Sequence, residues 1–191
     1  MTAFSQIQRQ TQSTPATGFA ILHGTLAPEG CVVKLEGFAC EVFDGPARVF
    51  GSTAEALDGI SRGRVRACDI VIVRQDGDEI TAQGMSDVTQ AIAEAGIERV
   101  TLITDGRTGG AADSAIIGNV TPTAAARGPI AYVNDDDIIH IDIAARRIDI
   151  LADIDMRRAA KVSKPGKTTF GAGALEKYAR MVTSVTPEGL F

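Results

Sequence analysis

Between residues 18 and 151 the chain alternates short apolar stretches with polar, glycine-bearing ones, and the period of each stretch predicts an element. "FAILHG" and "CVVKLEG" are strand-like, and the intervening "TLAPEG" supplies turn chemistry through Pro28 and Gly30. "ARVF" predicts another short strand. Ser52 then opens "STAEALDGISRG", where Ser52 and Glu55 have capping-box spacing, and a short helix is expected to end near Gly63. "DIVIVRQ" reads as a strand. "SDVTQAIAEAG" reads as a helix with Ser86 as N-cap and Gly96 as stop signal. "RVTLIT" is a buried strand that runs into "DGRTGG". Thr121 and Pro122 have the chemistry of an N-cap and first helical position, predicting a helix through "AAAR".

From Ile130 to Leu151 the period shortens to two. "IAYV", "IIHIDI" and "RRIDIL" predict strands, with "AARR" as a hairpin turn. "ALEKYARMV" near the C-terminus predicts one more helix. Strands lead, helices are interspersed and a meander follows, which is not the even rhythm of a doubly wound sheet. The expectation is an α/β domain: a mixed, barrel-like sheet with helices packed outside. Residues 1–17, rich in Gln, Thr and Ser, read as a flexible tail, leaving residues 18–191 as one domain.

Composition narrows the function classes. At 191 residues the chain suits one domain with a substantial core. A net charge of −5 with no basic patch argues against nucleic acid. No apolar run approaches the roughly 18 residues that cross a bilayer, and the first residues lack the apolar core of a signal peptide, so a cytoplasmic location and no membrane partner are expected. Cys31, Cys40 and Cys68 show no CxxC spacing. They read as small buried hydrophobes in a reducing compartment, since cluster ligands usually include closely spaced pairs.

Few residues stand out chemically. "GRTGG" follows a strand and could present backbone N–H groups to an anion, but it is neither a Walker loop nor a dinucleotide fingerprint. Asp105 and Arg107 flank a glycine at the end of a buried strand, where they serve either function or a local ion pair and loop hydrogen bonds. Asp135 to Asp137 form three adjacent carboxylates, which suit a solvated turn better than a metal site. His140 and Asp142 fall on the polar face of their strand. His23 ends the first strand. Lys34 either snorkels outward or reaches a pocket.

Five phrases in order are similar to the C-terminal domain of the dihydroxy-acid and sugar-acid dehydratases. They are "FAILHGTLAPEGCVVKLEG", "FDGPARVFGSTAEALDGI", "VTLITDGRTGG", "RGPIAYVNDDDIIHIDIAARRIDI" and "ALEKYARMVTSV". The "LAPEG" turn resembles the dihydroxy-acid branch. The resemblance implies a swivelling β/β/α domain and removal of water from a 2,3-dihydroxy acid, as in branched-chain amino-acid biosynthesis. It also implies an iron–sulfur cluster and magnesium, held mainly by an N-terminal domain. This chain alone is therefore expected to bind no cofactor and to be inactive alone. A separate cluster-bearing subunit or a homodimer, and a small anionic substrate, are the expected partners.

The polar positions of the family's site are altered. The family loop reads Gly-Arg-Phe-Ser-Gly-Gly, and an ungapped alignment puts Gly109 at the serine base, with Thr108 just before it. Thr108 is the nearby hydroxyl and the catalytic candidate, with Asp105, Arg107, Gly109 and Gly110 as substrate contacts. "GMSDV" replaces the family's Gly-Met-Pro-Glu, so Asp87 is the candidate metal ligand, one methylene shorter. Asn119 and Thr123 stand where the family usually shows His and Glu. A non-catalytic relative that binds a small anion or a protein is the alternative.

Overall fold

A computed structural model describes residues 18–35, 42–74, 80–108 and 115–162. Eight strands form one sheet: β1 (Phe19–Leu22), β2 (Gly30–Lys34), β3 (Val42–Phe50), β4 (Ile70–Val73), β5 (Thr101–Thr104), β6 (Ala115–Thr121), β7 (Ile138–Asp142) and β8 (Arg147–Ile150). Their order is β1-β2-β6-β5-β4-β3-β7-β8. The four central strands, β6, β5, β4 and β3, are parallel, and the outer pairs are antiparallel. The two ends of the sheet meet where His23 N donates to Arg146 O and Ile148 N donates to His23 O, both at 3.0 Å. The result is the mixed, nearly closed barrel expected from the sequence.

Side-chain alternation sorts the core into two compartments. Ile70 and Ile72 of β4 face the barrel interior with Val33, Ile103, Ile117, Ile139, Ile141 and Ile148. Val71 and Val73, one residue out of step, face helices α1 (Thr53–Ser61) and α2 (Ala82–Glu94) together with Phe50 and Leu102, and Met85 and Val88 of α2 pack with them. A strand apolar on both faces needs cover on both, which explains why "IVIV" is an unbroken apolar run.

Local chemistry fixes the helix ends. Ser52 Oγ accepts from Glu55 N at 3.1 Å, and the Glu55 carboxylate accepts from Gly51 N at 2.8 Å. α2 starts earlier than the sequence suggests: Thr81, not Ser86, is its N-cap, accepting from Gly84 N at 3.1 Å. Gly84, a poor helix former, is accommodated because it lets α2 approach α1; a Cβ there would lie 3.0 Å from Thr53 Cγ2. Gly96, at φ +65°, stops the helix as expected.

Two further expectations change. Thr121 and Pro122 start no helix: the Thr121 hydroxyl donates to Gly30 O and Asn119 O, and residues 124–127 form a turn closed by Gly128 N on Thr123 O at 2.8 Å. "IAYV" is not a strand either. Pro129–Tyr132 form a 3₁₀ turn whose Ile130 and Tyr132 plug the barrel core. β6 was not foreseen as a strand at all. A third helix, α3 (Ile154–Val162), was also missed; of the described residues, 155–162 belong to a second unit. The tail 1–17 and "ALEKYARMV" lie outside the described residues. Among the described residues no helix is long and apolar enough to cross a membrane.

Candidate active site

Parallel strands collect their following loops at one end, and ligands of open α/β sheets bind there. In this protein the carboxyl ends of β3, β4, β5 and β6 lead into Ser52 and α1, into Arg74, into residues 105–108, and into residues 122–128. The segment after β5 is the tightest. Thr104 Oγ1 accepts from Gly106 N at 3.0 Å, and Gly106 O accepts from Asn119 N at 3.1 Å. A Cβ on Gly106 would lie 2.6 Å from Ile80 Cβ, so only glycine lets this turn sit against the residue leading into α2.

Asp105 is buried, and its carboxylate accepts from Ala124 N at 2.7 Å, tying the turn after β5 to the segment after β6. Arg107 is exposed. Thr108 is half-buried and lies over Gly118 of β6, where an added Cβ would meet Thr108 Cγ2 at 2.5 Å and Oγ1 at 2.7 Å. The bare Gly118 thus makes the seat for the threonine side chain. Asn119, at φ +52°, coincides with a register shift in the β2–β6 pairing and re-aims the end of β6. Gly109 and Gly110 lie outside the described residues.

Asp87 stands on the exposed face of α2, in its second turn, and its carboxylate accepts from Gln83 Nε2 at 2.9 Å. The structure therefore brings Asp105, Arg107 and Thr108 together on one turn, and places Asp87 on the neighbouring helix that Ile80 links to that turn. Thr123 accepts from Ala126 N and closes its own turn.

Sequence reasoning missed Arg74. Its guanidinium donates from Nη1 to Ile130 O at 3.4 Å and to Ala131 O and Val133 O at 3.1 Å, fixing the 3₁₀ turn across the end of β4. The available signal was an arginine closing the apolar run "IVIV", where a cation needs acceptors close by.

The remaining candidates have structural tasks. Asp135 and Asp136 are exposed, and pair with Arg64 and Arg48; Arg48 also reaches the buried Asp69 at 3.0 Å. His140 lies on the polar face as expected, with Nδ1 2.6 Å from Asp44 Oδ1, while Asp142 accepts from Ala145 N in the hairpin turn. His23 is exposed and closes the barrel through its backbone. Lys34 is half-buried on the face opposite Val33.

Two of the three cysteines fall within the described residues. Cys31 is buried in the barrel core, where desolvation pushes its thiol up to about 12 although the thiol bonds to Leu22 O. Cys68, expected to be buried, is instead exposed on the turn before β4 at φ +67°. Cys40 lies outside the described residues. Among the described residues no three His, Cys, Asp or Glu side chains are placed to hold a metal ion.

The chain matches the family model "Dihydroxy-acid/6-phosphogluconate dehydratase C-terminal" over residues 7–188. It is 43% identical over 177 residues to the dihydroxy-acid dehydratase of Leifsonia xyli, covering 89% of this chain and 31% of that protein. It is 44% identical over 175 residues to dihydroxy-acid dehydratase 2 of Corynebacterium efficiens, covering 88% and 30%. The dihydroxy-acid dehydratase of Pyrococcus furiosus is 42% identical over 175 residues, covering 89% and 32%. The chain thus spans about a third of the length of these relatives.

Proposed function

From the premise that the chain belongs to the dihydroxy-acid/6-phosphogluconate dehydratase C-terminal family, we propose that it is a dehydratase module that completes an active site on a cluster-bearing partner and acts on a 2,3-dihydroxy acid. The observation that carries this reading is the turn of residues 105–108. It is held at the carboxyl end of the parallel strands by Asp105, Gly106 and Asn119, and it offers an exposed cation and a half-exposed hydroxyl side by side.

The overall reaction removes a proton from C2 and hydroxide from C3, and the resulting enol tautomerises to a 2-keto acid. In this proposal Arg107 meets the substrate carboxylate, and Thr108 stands at the reacting carbons as a hydrogen-bonding group. An unassisted threonine hydroxyl keeps its proton at neutral pH, so it needs a base or an electrophile from across the interface. Gly109 and Gly110 join the proposed substrate contacts on sequence position alone. The described cysteines and carboxylates do not form a cluster or magnesium site of their own; the partner would supply that Lewis-acid chemistry. Asp87 could add one carboxylate to it after releasing Gln83.

The test is an anaerobic pull-down of the tagged full chain from cells that naturally produce it. The eluate is assayed for iron, sulfide and dehydration of 2,3-dihydroxy-isovalerate. Co-elution of a cluster-bearing polypeptide with turnover is expected, with Thr108→Ala lowering kcat by about 10²-fold and Asp87→Ala raising the magnesium requirement. Elution alone, without iron or turnover, overturns the reading. Gly109 at the base position favours the second reading, a non-catalytic anion or protein binder, which would then stand.

A further inference from the structure

Acids and cations near the carboxyl end of the parallel strands are engaged differently. The Glu55 carboxylate accepts from Gly51 N, that of Asp87 from Gln83 Nε2, and that of Asp105 from Ala124 N. Arg74 is occupied with three backbone carbonyls. Arg107 and Arg127 are exposed, and among the described residues neither guanidinium has a hydrogen bond or ion pair.

Two contacts bring the segments of these arginines together. The bond from Ala124 N to Asp105 Oδ2, at 2.7 Å, joins the turn that carries Arg107 to the turn that carries Arg127. Arg127 N donates to Ala124 O at 3.0 Å, which keeps residue 127 within about 7 Å of Ala124. The same segment is anchored beyond Arg127 by Arg74 on Ile130 O, and by Gly128, where an added Cβ would collide with Pro122 O. A fixed backbone beneath both arginines lowers the cost of holding a ligand between them. In residues 122–128 Arg127 is the one long side chain; the others are Pro, Thr, Ala and Gly.

We infer that Arg127 is a second anion-binding side chain of the candidate site, and that the acid bound there carries an anionic group at its far end as well as the carboxylate beside C2. The inference rests on the proposed function, in which Arg107 meets that carboxylate, and it narrows the substrate class. A guanidinium matches a carboxylate or a phosphate with paired N–H donors, so either group would serve at the far end. An apolar tail laid against Arg127 would instead desolvate the cation without giving it an acceptor. 2,3-Dihydroxy-isovalerate, whose tail is neutral, would react while held by Arg107 alone.

The test is isothermal titration calorimetry on the full chain with three acids of one carbon skeleton: glucarate, 6-phosphogluconate and gluconate. The first two carry a second anion and the third does not. At least one of the two should bind about tenfold more tightly than gluconate, and comparing them separates a carboxylate site from a phosphate site. Arg127→Gln should bring that affinity down to the gluconate level and leave gluconate binding unchanged. Arg146→Gln is the control and should change neither. Arg146 is also exposed at positive φ, but it lies on the β7–β8 turn beyond Asp142, which pairs with the first residue of β3. Equal binding of all three acids, or binding of none, overturns the inference. So does a dianion advantage that survives Arg127→Gln or is lost as fully with Arg146→Gln. A chain that co-elutes with a cluster-bearing partner and turnover yet shows no dianion preference keeps the proposed function and loses this inference. Arg127-dependent dianion binding by a chain that elutes alone removes the proposed function and keeps the second anion site.

Discussion

The outer surface of this one sheet is finished in three ways. Over β4, β5 and the end of β3 it is dry, because α1 and α2 bury Val71, Val73, Leu102 and Phe50. Over β7 and β8 it is mostly polar, with His140, Asp142, Arg147 and Asp149 standing outward beside the exposed Ile138. Over β1 and β2 the outward side chains are Phe19 and Ile21, which are exposed, and Val32 and Lys34, which are half-buried. Topology accounts for the first two. Parallel neighbours need a crossover helix, which then covers their faces, whereas hairpins need none and keep a solvated polar face. The third finish has no topological cause, and it adjoins the candidate site.

The sharpest way to break this contrast is to truncate a phenylalanine on each surface. Phe50 is fully buried, packs edge-on against Gly59 and lies under Arg64 at 5.0 Å. Phe50→Ala is expected to cost about 3–5 kcal/mol, whereas Phe19→Ala should stay within about 0.5 kcal/mol. Urea unfolding of both variants measures this; a comparable loss from Phe19→Ala would mean that its ring is covered within the chain. Gly106→Ala comes next, at about 1–3 kcal/mol, because the added methyl meets Ile80 Cβ and carbonyl together. Its effect should reach the site as well, by moving the turn that carries Thr108. Ser52→Ala, which removes the α1 cap, should cost about 1 kcal/mol and leave the site untouched; circular dichroism and urea midpoints follow both.

Most of the barrel was legible in the sequence because its strands are bounded by turn residues and its helices carry caps. The failures have local causes. Thr81 and Ser86 are both good N-caps, and the interhelical contact that admits Gly84 into the first turn of α2 is invisible to pattern. Thr121-Pro122 looked like a helix start, but the threonine hydroxyl serves the β2–β6 ladder instead. "IAYV" (130–133) alternates like a strand, yet Pro129–Tyr132 form a 3₁₀ turn, and Arg74 binds the carbonyls of Ile130, Ala131 and Val133. At the site, the Asp105–Thr108 turn was foreseeable from its place after a buried strand. That Asp105 would hold Ala124, and that Gly118 would seat Thr108, needed the pairing of β5 with β6.

The smallest expected effect belongs to the polar outer face. Burial alone would raise the Asp149 carboxyl, but the Thr25 N–H at 2.9 Å and the Arg147 guanidinium at 2.8 Å outweigh it and hold the group below its ordinary 3.8. A carboxyl depressed in the native state adds stability that is complete well above 3.8 and is lost as pH falls below 3.8 through the native value. Arg147 is largely exposed, so solvent screens its share and the total is small. Asp149→Asn keeps an oxygen for Thr25 N and removes only the charge. Wild type should therefore be modestly more stable than the variant at pH 7, and the two should converge as the pH is lowered through the acid range. Parallel urea titrations at stepped pH measure the gap. A gap that stays constant down to pH 2 would assign the stabilisation to hydrogen-bond geometry rather than charge, and the polar face would then differ from the apolar one in solvation alone.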